Sequence, residues 1–138
     1  MLFRSPTAGF IEHPVKARRD VQRKAQAFNQ AEPFAADQRT AVILRESAEL
    51  VRRAGMTPVF ITTPVSPMLL SDLDVSRVCA FTNGVAAIAA ECGAAYLNYI
   101  DVPIPVECWH DANHLNAEGA KLFSEMFSRD FANREAEL

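Results

Sequence analysis

The sequence predicts an α/β fold with short parallel strands. Two helix-forming segments each end at a glycine, Gly55 and Gly93, and each glycine is followed by a short apolar stretch. The order helix, glycine, apolar strand is the second half of a repeating α/β unit, and such units build parallel sheets. With 138 residues and 49% hydrophobic content, the chain has the size of one domain, over residues 1–138, with a real core.

The individual elements follow from hydrophobic periodicity and from helix-capping residues. Residues 1–14 contain two prolines and a glycine that break any periodicity, so we expect an irregular lead-in there. Helices are predicted over about 15–31, 36–54, from Asp72 or Asp74 to Cys92, and from Asn116 to Asn133. Strands are predicted over 57–62 and 94–99. The apolar face of the second helix is assigned to Val42, Ile43, Leu44, Leu50 and Val51.

Two strands are too few for a doubly wound domain, whose sheet usually has about five. The strand over 57–62 is apolar throughout, as a strand covered on both faces would be, yet one of its edges should lack a neighbour. An unpaired apolar strand is an association site. We therefore expect the chain to be the C-terminal part of a larger protein, or to pair with a second copy or with a complementing N-terminal half.

Charge and composition exclude some partners. The net charge of −3 argues against general nucleic-acid binding, which needs a clustered surplus of Lys and Arg. One basic cluster on the first helix is interpreted as a solvated face, with an anionic partner as the alternative: Lys16, Arg18, Arg19, Arg23 and Lys24. No signal peptide or membrane segment is expected in this chain. A true start at Met1 would indicate the cytoplasm, whereas a longer parent leaves the cell envelope open.

The three cysteines have irregular spacing, which suggests neither a zinc knuckle nor a disulfide framework. Cys79 and Cys92 lie in apolar helical surroundings and are predicted to be core thiols. Cys108 lies close to the candidate site described next, so it is the cysteine whose reactivity is worth testing.

The run from Trp109 to Ala120 carries the chemistry. It places Asp111 three residues before His114, just ahead of a helix that Asn116 is suited to cap. A carboxylate in that position can accept the Nδ1 proton of the imidazole and leave Nε2 free as a general base. Trp109 is interpreted as a packing residue, with a sugar-stacking platform as the alternative.

A metal site is the competing interpretation of the same run. His110 and His114 are four residues apart and could bind a metal together with Asp111. The segment does not look helical, however, and the distant His13 is the remaining candidate ligand. We therefore predict that His110 is a surface residue or lies just behind the site residues, and that the site holds no metal and no cofactor.

The pattern D-x-x-H-L-N-x-x-G-A of residues 111–120 resembles the final conserved block of the SGNH (GDSL-type) hydrolases. The stretch 45–67 is also similar to members of this superfamily related to cell-envelope polysaccharide and teichoic-acid modification proteins. The resemblance implies a partial flavodoxin-like, three-layer α/β/α fold whose N-terminal strands are missing. It also implies that His114 and Asp111 belong to a Ser-His-Asp triad of an esterase, or of an O-acetyl hydrolase or transferase.

The substrate would then be an ester, with acylated carbohydrates favoured. The loop that leaves the first strand should face the site, because ligands bind at the carboxyl ends of parallel strands. Thr63, Pro64, Ser66 and Trp109 are therefore assigned to substrate binding. The Gly-Asp-Ser block that carries the superfamily's nucleophile is absent, and Ser66, which Pro67 follows, makes a poor nucleophile turn. We expect little activity from the chain alone.

Two other classes of function are also compatible with the sequence. The chain could be a non-catalytic binding or assembly domain that uses its exposed strand edge, or a small metal-dependent hydrolase.

Overall fold

The computed structural model describes residues 14–32 and 38–135. Their elements, in chain order, are α1 (Pro14–Gln30), α2 (Gln38–Arg53), β1 (Val59–Thr62), α3 (Pro67–Asp72), α4 (Val75–Glu91), β2 (Ala95–Asn98), a 3₁₀ turn (Val106–Cys108) and α5 (Ala117–Glu135). The protein is therefore mixed α/β and mostly helical. Of the predicted lead-in, residues 1–13 lie outside the described part. Pro14 instead begins α1, since proline is well suited to the first helical position.

In the part of the chain that the structure describes, the sheet consists of two parallel strands. β1 and β2 pair in register from Val59 opposite Ala95 to Thr62 opposite Asn98. At the carboxyl end of β1, the Thr62 hydroxyl lies 2.7 Å from the Tyr96 hydroxyl. Within the described ranges β1 has β2 as its one strand neighbour, so its second edge is not paired there.

The chain divides into two compact units. The sheet unit comprises residues 26–63 and 73–100, and contains both strands. The block unit comprises residues up to 25, residues 64–72 and residues from 101 onward, and contains the D-x-x-H block. The candidate site is described below. Its charged groups contact one another within the block unit.

The core of the sheet unit is formed by small and medium-sized side chains. Ala48, Ile88 and Cys92 are buried together, and the partly buried residues packed against them are Ala41, Leu44, Phe60 and Ala94. Cys92 is thus a core thiol, as predicted. Cys79 is exposed, and the prediction of a core position for it was wrong.

The predicted apolar face of α2 was wrong in part. Val42, Ile43 and Leu50 are 47%, 52% and 66% exposed. A helix advances about 100° per residue, so Leu44 and Ala48, four positions apart, share the face that packs on the core. Ile43 and Leu50 lie on another face of the helix. The expectation that β1 is covered on both faces was also wrong at Ile61, which is 43% exposed.

The ends of the helices confirm the capping signals of the sequence. Asp74 is the N-cap of α4, because its carboxylate accepts the backbone N–H groups of Ser76 and Arg77 at 2.8 and 3.3 Å. Gly55 and Gly93 have φ angles of +74° and +56°, the left-handed conformation in which glycine commonly ends a helix. These two turns direct the chain from α2 and α4 toward the strands.

Candidate active site

The D-x-x-H block forms a closed turn. Trp109 and Leu115 pair as an isolated antiparallel bridge at its base. Inside the turn, the carbonyl oxygen of His114 accepts the backbone N–H groups of His110 and Asp111 at 2.8 and 3.3 Å. These bonds fold residues 110–114 back on themselves and bring the side chains of Asp111 and His114 to the same side.

Buried side chains hold the base of this turn. Trp109 is 1% exposed and Ala112 is fully buried, and the indole N–H donates to the carbonyl oxygen of Ile104 at 3.3 Å. The loop after β1 is attached to the turn as well, because the backbone N–H of Ser66 donates to the carbonyl oxygen of Ala112 at 3.1 Å. Trp109 is therefore a packing residue in this conformation, with almost no surface to offer a sugar.

Asn116 connects the turn to α5. Its Oδ1 accepts the backbone N–H of Gly119 at 3.0 Å, the N-cap bond that the sequence predicted, and its Nδ2 donates to the carbonyl oxygen of Glu107 at 2.6 Å. Gly119 lies so close to the preceding chain that a β-carbon there would be 2.1 Å from the carbonyl oxygen of Cys108. The Asn-x-x-Gly spacing thus fixes the direction in which α5 leaves the site.

Asp111 and His114 form the predicted acid–imidazole pair. The Nδ1 atom of His114 lies 2.9 Å from Oδ1 and 2.8 Å from Oδ2 of Asp111. Oδ1 also accepts the backbone N–H groups of Asn113 and His114, at 3.0 and 2.9 Å. The His114 side chain is 67% exposed. Because Nδ1 is engaged by the carboxylate, Nε2 is the ring nitrogen left for a reacting proton.

The same contacts determine the charge of Asp111. Partial burial disfavours the carboxylate, but this effect is outweighed by the backbone N–H of Asn113, the hydrogen bond with His114, and the positive charges of Lys24 and His114. Together they lower the pKa of Asp111 from 3.8 to about 2. The acid is therefore ionised at neutral pH and can orient the imidazole.

Lys24 is a site residue that the sequence patterns did not reveal. Its Nζ atom lies 3.4 Å from Asp111 Oδ1 and donates a hydrogen bond to Asn113 Oδ1. It also forms an ion pair with Asp20, at 3.0 Å from Oδ2. The basic cluster of α1 was interpreted as a solvated face, and Arg18, Arg19 and Arg23 are indeed exposed. Lys24 differs, with a side chain that is 21% exposed. The apolar residues Val21 and Ala25, which are buried, were the signal available in the sequence. They lie three positions before and one position after Lys24, so Lys24 borders the packed face of α1.

The residues assigned to substrate binding lie in different places. Thr63 is exposed and belongs to the sheet unit, whereas Pro64 and Ser66 are buried in the block unit. The Ser66 hydroxyl accepts the backbone N–H of Leu69 at 3.2 Å, at the start of the short helix α3. The buried hydroxyl of Ser66 thus has a structural partner. The substrate-binding assignments themselves stay predictions.

Two further predictions concern residues near the turn. His110 is exposed, as expected of a surface residue. Cys108 is 8% exposed, and burial, followed by the charges of Glu107 and Glu118, raises the pKa of its thiol. A thiol of this kind forms less of the reactive thiolate at neutral pH. In the described ranges, no group of three or more His, Cys, Asp or Glu residues is placed to hold a metal ion.

Fold and site together define a mostly helical α/β protein in which an acid and a histidine are paired in an exposed turn. Comparison of the chain with protein-family models, with curated proteins and with solved structures finds no match. Among the helices of the described part, none is both long and apolar enough to cross a membrane.

Proposed function

We propose that this chain supplies the histidine and the aspartate of a Ser-His-Asp site in an SGNH-type ester hydrolase or acyltransferase, within a partial three-layer α/β/α fold. The observation that carries the proposal is the contact of both Asp111 carboxylate oxygens with Nδ1 of His114, at 2.9 and 2.8 Å. An ionised acid in this position fixes the tautomer in which Nε2 can accept a proton. The D-x-x-H-L-N-x-x-G-A pattern gives the pair its superfamily context.

In the proposed reaction, a serine hydroxyl gives its proton to Nε2 of His114 as its oxygen attacks the carbonyl carbon of an ester. The bond from that carbon to the alcohol oxygen then breaks, and the alcohol leaves with the proton from His114. Water, or a second alcohol in a transferase, then attacks the acyl carbon and gives its proton to His114, the bond from that carbon to the serine oxygen breaks, and the serine takes the proton back from His114. Each hydrogen-bond donor to the oxyanion is worth about 3 kcal/mol. The similarity of residues 45–67 to polysaccharide-modifying members favours an acylated carbohydrate as substrate.

The serine in this proposal comes from a polypeptide segment other than these 138 residues. The chain contains no Gly-Asp-Ser block, and the Ser66 hydroxyl is buried and bonded to the start of α3. The serine and the oxyanion donors would then lie in a preceding segment of a longer chain or in a complementing subunit. This arrangement makes the isolated chain nearly inactive.

A serine-directed fluorophosphonate probe tests the proposal. It should label the product of the complete reading frame, and labelling should fall by at least about 100-fold in the His114→Ala variant, because a positioned base contributes 10²–10⁴-fold. His110→Ala is the matched control, since His110 is exposed and four residues away. Failure of the wild-type protein to label, or equal labelling of the His114→Ala variant, would contradict the assignment.

The second candidate function is a non-catalytic assembly domain that uses the edge of β1. It is favoured by the single strand neighbour of β1 within the described ranges and by apolar side chains that are exposed in the sheet unit, namely Val42, Ile43, Leu50, Met56, Ile61 and Val75. On this proposal a second copy pairs with β1, and sedimentation of the 138-residue chain shows a dimer. Ile61→Lys should dissociate it, whereas Val106→Lys, at an exposed apolar residue of the block unit, should not. A monomer at high concentration would exclude this candidate.

A further inference from the structure

We infer that Lys24 is a positioning residue of the candidate active site, and that its positive charge disfavours a second positive charge on the His114 ring, which a general base must keep neutral. The inference rests on the proposed function, because it assigns Lys24 a role in the chemistry of the Asp111–His114 pair. Helix α1 brings the ammonium group of Lys24 to the Asp111 carboxylate, which in turn orients the histidine. Lys24 and Asp111 are 87 positions apart in the sequence, so only the folded chain brings them together.

The Lys24 ammonium group is surrounded by oxygen atoms. It lies 3.0 Å from Asp20 Oδ2 and 3.4 Å from Asp111 Oδ1, and it hydrogen-bonds the Asn113 side chain. Its side chain is 21% exposed, against 72% for Arg23 one position earlier, which pairs with Asp20 Oδ1 at 2.8 Å. Water and salt therefore screen Lys24 less than its neighbour.

The position of Lys24 changes the balance of charge around the His114 ring. The charged groups that reach the His114 ring directly or through its partners are Asp111 from its own loop, and Lys24, Asp20 and Arg23 from α1. With a neutral imidazole these groups carry two negative and two positive charges. Without Lys24, Arg23 would still pair with Asp20, but the Asp111 carboxylate would lose the cation beside it, and a positive charge on the ring would be more favourable. A protonated histidine cannot accept the proton of a nucleophile.

Lys24 also restrains the geometry of the pair. Asp111 Oδ1 already accepts two backbone N–H groups, and Lys24 contacts that same oxygen and the side chain of Asn113 in the same turn. An ammonium group that contacts both residues limits the rotation of the carboxylate relative to the imidazole. The expected roles are therefore electrostatic and geometric.

Proton NMR titration of the His114 ring in the 138-residue chain tests the electrostatic role. Lys24→Met should raise the pH midpoint of this titration by roughly half a unit or more, because an opposing charge has been removed. Asp20→Asn should lower it, since the positive charge of Lys24 then acts with less opposition. Lys24→Arg should leave it close to wild type. The matched control Arg23→Met removes a charge from the same helix, and should shift the midpoint far less than Lys24→Met.

Opposite shifts from Lys24→Met and Asp20→Asn cannot come from partial unfolding, which would move both midpoints toward that of a free histidine. Equal midpoints in wild type and Lys24→Met would overturn the inference, as would an equally large shift in Arg23→Met. The NMR measurement does not depend on activity, so it stands apart from the fluorophosphonate test. In a complete enzyme, Lys24→Met should move the acid limb of the pH–rate profile to higher pH, by the same amount as the NMR midpoint.

Discussion

Asp111 Oδ1 lies 2.9 Å from the ring Nδ1 of His114 and also accepts the backbone N–H of that residue at 2.9 Å. One carboxylate oxygen thus holds both the main chain and the side chain of the histidine. The backbone bond by itself would suit a purely structural aspartate in a turn. A test of the catalytic role of Asp111 must therefore preserve its hydrogen bond with the backbone and change its contact with the imidazole ring.

Asp111→Asn makes this separation. The amide oxygen of the new side chain can take the place of Oδ1 and accept the same two backbone N–H groups. Its NH₂ group then takes the place of Oδ2 and donates a hydrogen bond to Nδ1 of His114. The ring should then change from the Nδ1-protonated to the Nε2-protonated tautomer, which can no longer act as a base. We expect ¹⁵N NMR to detect the exchange, with an unchanged tautomer in the control Asp101→Asn. If the tautomer of the Asp111→Asn variant stays unchanged, Asp111 does not orient the ring.

The low pKa of Asp111 predicts how stability depends on pH. A group whose pKa falls on folding stabilises the folded state at pH values above its unfolded pKa, and loses this effect as the pH falls through its folded pKa. For Asp111 the interval runs from 3.8 down to about 2. The difference corresponds to about 2.4 kcal/mol, which screening of a side chain that is 33% exposed reduces to roughly 1–2 kcal/mol.

Urea unfolding at pH 2, 3, 4 and 5 measures this contribution. The free energy of unfolding should decrease as the pH falls over this range, and the decrease should be smaller in Asp111→Asn by roughly 1–2 kcal/mol. Asp74, whose pKa is lowered by hydrogen bonds from Ser76 and Arg77, remains in both proteins, and its contribution cancels in the comparison. Identical pH dependence in the two proteins would mean that the carboxylate of Asp111 has no stabilising partners.

Asn116 is predicted to tolerate no acidic replacement, although aspartate is an equally good N-cap. In the native protein, Nδ2 of Asn116 donates to the carbonyl oxygen of Glu107 at 2.6 Å. Asn116→Asp would keep the acceptor for Gly119 but would place a second carboxylate oxygen against that carbonyl oxygen. Both Asn116→Asp and Asn116→Ala should lower the free energy of unfolding by about 2 kcal/mol. Urea denaturation at neutral pH measures this loss, with the exposed Asn133→Ala as control. Rescue by aspartate would show that the donor to Glu107 contributes little.

Gly119→Ala tests the close approach of α5 to the 3₁₀ turn. A β-carbon would lie 2.1 Å from the Cys108 carbonyl oxygen, a backbone atom that cannot rotate away. Displacing the backbone should lower the free energy of unfolding by about 2–3 kcal/mol, although alanine has the higher helix propensity. Lys121→Ala, at an exposed position of the same helix, should change it by less than about 0.5 kcal/mol. An unchanged or raised stability of Gly119→Ala would contradict the packing described for this turn.

Local signals in the sequence predicted the elements well. Helices α1, α2, α4 and α5 lie within a few residues of their predicted spans, because their caps and glycine stops are encoded by adjacent residues such as Asp74 and Gly93. The turn that joins Asp111 to His114 was also predictable, since the two residues are three positions apart. The short helix α3 and the 3₁₀ turn were missed, because each is shorter than a period of hydrophobic residues can reveal.

By itself, the sequence determined the mixed α/β character, the caps and the acid–histidine pair, because each depends on interactions over a few residues. The tertiary structure decided which apolar residues of α2 are buried, why Gly119 must lack a side chain, and that Lys24 contacts Asp111. Those outcomes depend on which segment packs against which. Neither periodicity nor charge patterning of one segment specifies the atoms that another segment brings to it.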